Sequence, residues 1–408
     1  VIPERALDIE LSGGIAPVPV GSGYRSVHLL VRYLGRPVGW VRSNRLTGGI
    51  LAAEEVRTLV AEQLGTVLPR FLLTQSSELE RRTLPPISVV VCTRDRTDHL
   101  RHCLPSLLSL DYPTFEIIVV DNAPLTDATA RLVQGLPVRY VQEPQAGLDR
   151  ARNRGVEAAR YDIVAFTDDD VSVDRLWLRA CAAAFDDAGV SAVTGTVAPK
   201  ELETEAQWLF ETVYGGMGHG LQRRTLRRDA LRNAELIRSS AYGCGANMAF
   251  RRSALLALGG FDPALDVGTP SGGAGDLDML HRILAHGYTL VYDPAVLVWH
   301  THRRSYRDLR RQIFDNGRGF GSYLFTVFRN RTVGRGSLLR FALVDWLTVW
   351  LLARIVRPKG LPRGLVLAEL AGALLSPLYY RKARAAAENE VPRFMEGATG
   401  DEPRRIAQ

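Results

Sequence analysis

The chain has 408 residues, 46% of them hydrophobic and 23% charged, with a formal net charge of +7. That length allows two or three structural units with a full core. The ordinary apolar and aromatic content excludes a largely disordered or fibrous protein. The basic excess is regional: residues 301–363 hold fourteen Arg or Lys against three acidic residues, so the remainder is net negative. Cys92, Cys103, Cys181 and Cys244 show no CxxC pairing and read as reduced, buried thiols. Neither a signal peptide nor an uninterrupted run of about 18 apolar residues is visible. A cytoplasmic location is the expectation.

Residues 1–85 read as an accessory unit. Val27–Tyr33 and Val38–Arg42 predict two short strands around a Gly/Pro turn, and apolar spacing predicts a helix over 52–73. Pro85-Pro86 closes the linker. An α/β alternation then starts with the β-branched run Ile87–Val91, as expected of a strand buried on both faces of a parallel sheet. A helix (99–110), a strand (115–120), a short strand (138–141), a helix (148–159) and a strand (162–166) follow. Ligands of such sheets gather at the carboxyl ends of the strands.

Three of these strands end in polar residues: Cys92-Thr93-Arg94-Asp95-Arg96, Asp121-Asn122 and Thr167-Asp168-Asp169-Asp170. Three consecutive carboxylates repel one another unless a cation sits among them. Hard Mg²⁺ or Mn²⁺ suits one or two carboxylates completed by phosphate oxygens and water. An exposed acidic turn is the alternative for the aspartates alone.

The ordered set ISVVVCTRDR, EIIVVDNA, GLDRARNRG, FTDDDV, GANMAFRRSAL, GGFD, GDLDMLHRILAHGY and YDPAVLVWH resembles a family 2 glycosyltransferase over residues 87–302. The resemblance implies the GT-A fold, an α/β Rossmann-like, mostly parallel sheet flanked by helices. It implies inverting transfer from a nucleotide-diphospho-sugar to a hydroxyl-bearing acceptor, a glycan, lipid-linked sugar, peptide or small metabolite. Carried over residue by residue, it puts Thr93, Arg94, Asp95, Asp121, Arg152, Asn153 and Asp168 at the donor nucleotide. Asp121 would accept the N3–H of a uracil-type base, hence a UDP- or dTDP-sugar. Asp170 and His300 would hold the metal, with Asp169 turned elsewhere and His302, Arg303 and Arg304 near the diphosphate.

Family members often carry Glu-Asp where this chain has Gly275-Asp276, and the aspartate of that pair implies Asp276 as general base. A helix N-cap is the competing role for Asp276. Gly245, Ala246 and Asn247, with Asp278, resemble the acceptor side. Tyr214–Asn233 reads as a mobile loop, either closing over donor phosphates or merely solvated.

After Tyr306 the chain turns to Arg-rich helices. Stretches 337–354 and 364–380 are apolar but interrupted by Asp345, Glu369 and Pro377. Apolar faces, Trp346 and Trp350, and dense arginine suit peripheral contact with an anionic membrane; packing on the core or dimerisation are the alternatives. No nucleic-acid motif accompanies the charge. The expected division is thus 1–85, 86–305 and 306–408. A nucleotidyltransferase would need a glycine-rich loop after the first strand, which CTRDR lacks; a non-catalytic donor-binding scaffold is the other rival.

Overall fold

The computed structural model describes residues 3–74, 84–358 and 360–388. Most of the expected linker (75–83) and the tail beyond 388 lie outside the described residues.

The N-terminal unit has five strands: β1 (Glu4–Glu10), β2 (Val18–Pro19), β3 (Ser26–Tyr33), β4 (Arg36–Ser43) and β5 (Ile50–Leu51). β1, β3 and β4 form one sheet, parallel between β1 and β3 and antiparallel in the β3–β4 hairpin. The helix expected over 52–73 is two, Ala53–Leu64 and Val67–Thr74. The first buries Val56, Leu59, Val60 and Leu64 against Val27, Leu29 and Val41. Gly39 permits this approach, since a Cβ there would meet Leu64 Cδ2 at 2.3 Å. The unit docks on the central sheet through Arg32, whose Nη1 lies 2.7 Å from Asp174, and through Trp40 edge-on to Trp299.

The central sheet contains β6 (Ile87–Thr93), β7 (Phe115–Asn122), β8 (Arg139–Glu143), β9 (Ile163–Asp168), β10 (Val171–Val173), β11 (Val190–Pro199), β12 (Arg224–Leu226), β13 (Asn247–Arg251) and β14 (Thr289–His300). Its order is β10-β14-β11-β13-β9-β6-β7-β8, with β12 also on β14. β9, β6, β7 and β8 run parallel, while β13 is antiparallel to both neighbours. Every residue of β6 is buried, as its β-branched run requires. The register sets Thr93 opposite Asp121 and Cys92 opposite Asp168, so the polar strand ends align. β10 folds back antiparallel on β14 and pairs Val171 with His300. That pairing brings the third aspartate to the histidine.

The Tyr214–Asn233 segment is more ordered than a mobile loop. It contains β12, and Arg224 donates to the carbonyls of His219 and Ala241 while lying over the Tyr292 ring. That arginine holds the sheet edge.

Beyond β14, helices Tyr306–Asn330 and Arg363–Glu388 cross closely. Cβ atoms on Gly317 and Gly372 would lie 2.0 Å from the carbonyl oxygens of Glu369 and Phe314. Only glycine allows those backbones so near. Tyr323, Val327, Leu338 and Phe341 share a core with Met279, Leu280 and Ile283 under the central sheet.

The two tryptophans expected at a membrane interface face the protein instead. Trp350 donates from Nε1 to Glu369 at 2.9 Å and carries Arg354 over its ring; Trp346 packs on Phe320. A buried carboxylate needs a donor, and an indole N–H inside the protein supplies one. Among the described residues no helix is long and apolar enough to cross a membrane.

Candidate active site

The aspartate run after β9 is held by an arginine from the β6 loop. Arg96 reaches Asp169 Oδ1 at 2.7 Å through Nη1 and Asp170 Oδ2 at 2.8 Å through Nη2. Thr93 donates to the other oxygen of Asp169 at 2.7 Å. Asp169 is therefore turned inward, and its burial pushes its pKa up to about 7. The cation among these carboxylates is Arg96, a residue the sequence reading gave no role.

Asp170 keeps Oδ1 for His300, whose Nε2 lies 3.3 Å away. Behind it, His300 Nδ1 is 3.0 Å from His302 Nδ1, and His302 Nε2 is 3.0 Å from Glu211 Oε2. Arg303 stands 3.9 Å from Asp170 Oδ2. Arg304 is instead committed to Glu201 and Glu203. No group of three or more His, Cys, Asp or Glu side chains converges on one point among the described residues. A carboxylate and an imidazole 3.3 Å apart nevertheless fit a divalent cation. Adjacent ligands about 2.1 Å from an octahedral ion lie about 3 Å apart, and diphosphate oxygens and water normally complete such a sphere.

At the end of β7, Asp121 is fully buried. Its Oδ2 accepts from Tyr140 at 3.0 Å and Thr129 also faces the carboxylate, while Oδ1 makes no well-formed hydrogen bond. Burial raises its pKa. A buried acceptor left open invites a donor. Arg94 is exposed beside Gly268, and Asp95, at φ 52°, accepts from the Leu125 amide.

The helix Leu148–Ala158 places Arg152 in the interior, with Nη1 2.9 Å from Asp149 and Nη2 4.0 Å from Asp168. Asn153 is not free for a nucleotide. Its amide donates to Phe261 O at 2.9 Å and accepts from Phe261 N at 2.8 Å, pinning the GGFD segment.

Asp276 lies in the first turn of the helix Gly275–Ala285, one residue inside the helix rather than at its cap. The cap is Ala274, in the left-handed region at φ 89°. Asp276 Oδ2 accepts from the Gly245 amide at 2.7 Å, and Oδ1 from its neighbour Leu277. A Cβ on Gly245 would meet Arg152 Nη2 at 2.2 Å, so glycine lets Arg152 and Asp276 share one corner. Gly275 has a related cause: its Cβ would fall 1.7 Å from Asp149 Oδ2. A carboxylate does stand beside Asp276, but it comes from another helix. Burial holds the Asp149 pKa well up, and its Oδ2 has no partner.

Two acceptor-side expectations are overturned. Asn247 is buried and fully used, accepting from Trp177 and donating to the carbonyls of Thr196 and Val296. Asp278 projects from the far face of its helix and pairs with Arg282 at 2.6 Å. Two residues along a helix turn the side chain by about 200°. Ala246 is buried; its carbonyl accepts from Thr167. Besides Arg96, the sequence reading gave no role to Asp149 or Glu211. Arg96 and Asp149 lie within the ISVVVCTRDR and GLDRARNRG motifs and Glu211 in none of them; tertiary contact gives each its place.

The family model "Glycosyl transferase family 2" matches residues 88–259. The pre-mycofactocin glycosyltransferase of Mycobacterium tuberculosis is 27% identical over 291 residues, 69% of this chain and 57% of that protein. This chain thus spans little more than half the length of that relative. Glycosyltransferase AglE of Haloferax volcanii is 26% identical over 67% of this chain and 83% of its own. Among solved structures, a Pyrobaculum calidifontis mannosyltransferase in complex with GDP-Man and Mn²⁺ shows a TM-score of 0.47 at 19% identity, covering 82% of this chain and 98% of that one. The match to glycosyl transferase family 2 thus falls on the central α/β domain of this chain.

Proposed function

We propose that the chain is an inverting glycosyltransferase that moves a sugar from a UDP- or dTDP-sugar to an acceptor hydroxyl. The observation that carries this reading is a set of three groups, two at aligned strand ends and one on a helix that Arg152 links to them. These are a buried aspartate with an open oxygen (Asp121), an aspartate–histidine pair (Asp170, His300) and a carboxylate fixed by a backbone amide (Asp276).

In this reading Asp121 Oδ1 accepts the imide N–H of the base, and Thr93, Arg94, Asp95 and Asp168 border the nucleotide. Arg303, beside Asp170, reaches the diphosphate. Asp170 and His300 would hold Mn²⁺ or Mg²⁺, which when bound neutralises charge on the diphosphate leaving group. Asp276 takes the acceptor's proton as the hydroxyl oxygen bonds to the anomeric carbon and the bond from that carbon to the diphosphate breaks. One displacement inverts the anomeric centre. The Gly245 N–H keeps one carboxylate oxygen oriented, so the general base is positioned before the acceptor arrives.

Incubation with Mn²⁺, a panel of nucleotide-sugars and candidate acceptors, read by mass spectrometry, tests this reading. Transfer with release of nucleoside diphosphate is the expected result. Release of pyrophosphate would indicate a nucleotidyltransferase, and donor binding without turnover a scaffold.

We further propose that the C-terminal helices rest on an anionic bilayer surface. Leu339, Leu343, Val349, Leu352 and Val356 are exposed along the segment whose other side buries Phe341 and Leu351. Arg335, Arg340, Arg357 and Arg363 are exposed around it, matching negative headgroups. Co-sedimentation with phosphatidylglycerol vesicles is expected, with loss in high salt and in a Leu343→Asp/Val349→Asp/Leu352→Asp variant. Absence of vesicle binding, equal binding to neutral vesicles, or a stable dimer closed by this face would overturn it.

A further inference from the structure

We infer that Glu211 is a positioning residue for the metal site, acting through His302 to present the Nε2 lone pair of His300. The inference rests on the reading of Asp170 and His300 as the metal-binding pair.

An ionised carboxylate offers only acceptors, so the 3.0 Å contact between Glu211 Oε2 and His302 requires the proton on His302 Nε2. A neutral imidazole carries one proton, which leaves His302 Nδ1 as an acceptor. The 3.0 Å contact between the two Nδ1 atoms then takes its proton from His300. A neutral His300 then has its lone pair on Nε2, 3.3 Å from Asp170 Oδ1, where a protonated ring would donate to that oxygen instead. With the ring neutral, imidazole and carboxylate would offer two acceptors at a separation that suits a bound cation. Histidine ligands are usually oriented by a partner on the second nitrogen; here the partner is another histidine, and the carboxylate stands one step further back.

The segment carrying Glu211 holds His302 at three points. Gln207 donates from Nε2 to the His302 carbonyl at 3.2 Å, the Phe210 ring meets the imidazole edge-on at 4.9 Å, and Glu211 takes the Nε2 proton. Space for the carboxylate comes from Gly216, at φ 58°, where a Cβ would lie 2.4 Å from Glu211 Oε2. The same segment packs Leu209 and Phe210 against Leu309, Ile313, Leu351 and Leu365. The C-terminal helices therefore brace the far end of a hydrogen-bonded chain that ends at the metal pair.

The test is Mn²⁺ binding by the full chain in the presence of UDP, followed by electron paramagnetic resonance, with no acceptor and no turnover. Glu211→Ala is expected to weaken binding about 10- to 100-fold. Glu211→Gln, whose amide oxygen accepts the same proton, retains most of the affinity. Gly216→Ala, which displaces the carboxylate, behaves like Glu211→Ala. If His300→Ala abolishes binding while Glu211→Ala binds as the unaltered chain does, the relay is overturned and the metal pair stands. If Asp170→Ala and His300→Ala both bind normally, the metal-pair reading falls and the relay with it. A metal-free readout is ¹⁵N NMR of labelled histidine, assigned with His300→Ala and His302→Ala. Protons on His302 Nε2 and His300 Nδ1 are expected, redistributed in Glu211→Ala; the opposite tautomers would overturn the inference.

Discussion

The strand ends of the central sheet and the crossing of the two long C-terminal helices both bury carboxylates, and they treat them oppositely. At the strand ends Asp121, and beside them Asp149 on its helix, each keep one buried oxygen without a well-formed hydrogen bond. At the helix crossing, Glu369 is just as deep, yet the Trp350 indole N–H satisfies it. Burying an unmade hydrogen bond costs about 1–3 kcal/mol. At Asp121 the proposed donor base supplies the missing hydrogen bond. Glycine divides along the same line. Gly245 and Gly275 make room for the side chains of Arg152 and Asp149, whereas Gly317 and Gly372 make room for backbone.

The largest effect expected from breaking this contrast is at Asp276. Asp276→Asn should slow transfer by between about a hundredfold and ten-thousandfold, with the melting temperature nearly unchanged. Normal turnover would remove it as the base.

On the other side of the comparison, Gly372→Ala should destabilise the chain by about 3 kcal/mol, because its Cβ meets a carbonyl rather than a flexible side chain. Chemical denaturation measures this, and donor binding by the folded fraction should persist.

A smaller loss, about 1–2 kcal/mol, is expected for Gly275→Ala, where the obstacle is the Asp149 carboxylate. Asp149→Ala alone should cost stability by leaving Arg152 without its partner, but the double variant should lose less than the two single losses summed. Additive losses in the double variant would show that the two positions do not compete for space.

The smallest effect is on pH dependence. Burial raises the Glu369 pKa from its ordinary 4.5 to about 7, with Trp350, Arg354 and Tyr214 facing it. The folded chain therefore binds a proton that the unfolded chain has released between these values. Its contribution is greatest below 4.5 and declines as pH rises towards 7. Glu369→Gln should flatten the melting profile across that window and melt higher than the unaltered chain at pH 8. An unchanged slope would mean that Glu369 is ionised in the fold.

Much of the catalytic unit was legible in the order of residues. Runs such as Ile87–Val91 announce strands buried on both faces, and their parallel pairing then aligns Thr93, Asp121 and Asp168 with no further information. The Asp276 helix and the His300 strand were legible for the same reason, since periodicity and strand termination are local. Asn153, Asn247 and Asp278 were misread because a polar residue in a family motif has the same letter whether it faces a ligand or a backbone carbonyl. Phe261, Thr196 and Arg282 made that choice, two of them from other elements.

Composition and pattern thus decided the sheet, its strand ends and the regional charge, because those follow from hydrophobic periodicity and turn chemistry along the chain. Tertiary structure alone decided which carboxylates stay unpaired. It set Arg96 among the aspartates, moved a carboxylate from position 275 to Asp149, turned Trp346 and Trp350 inward, and joined Glu211 to His300 through His302. Each of these depends on atoms far apart in sequence meeting within hydrogen-bond or van der Waals range, and no local pattern encodes such a distance.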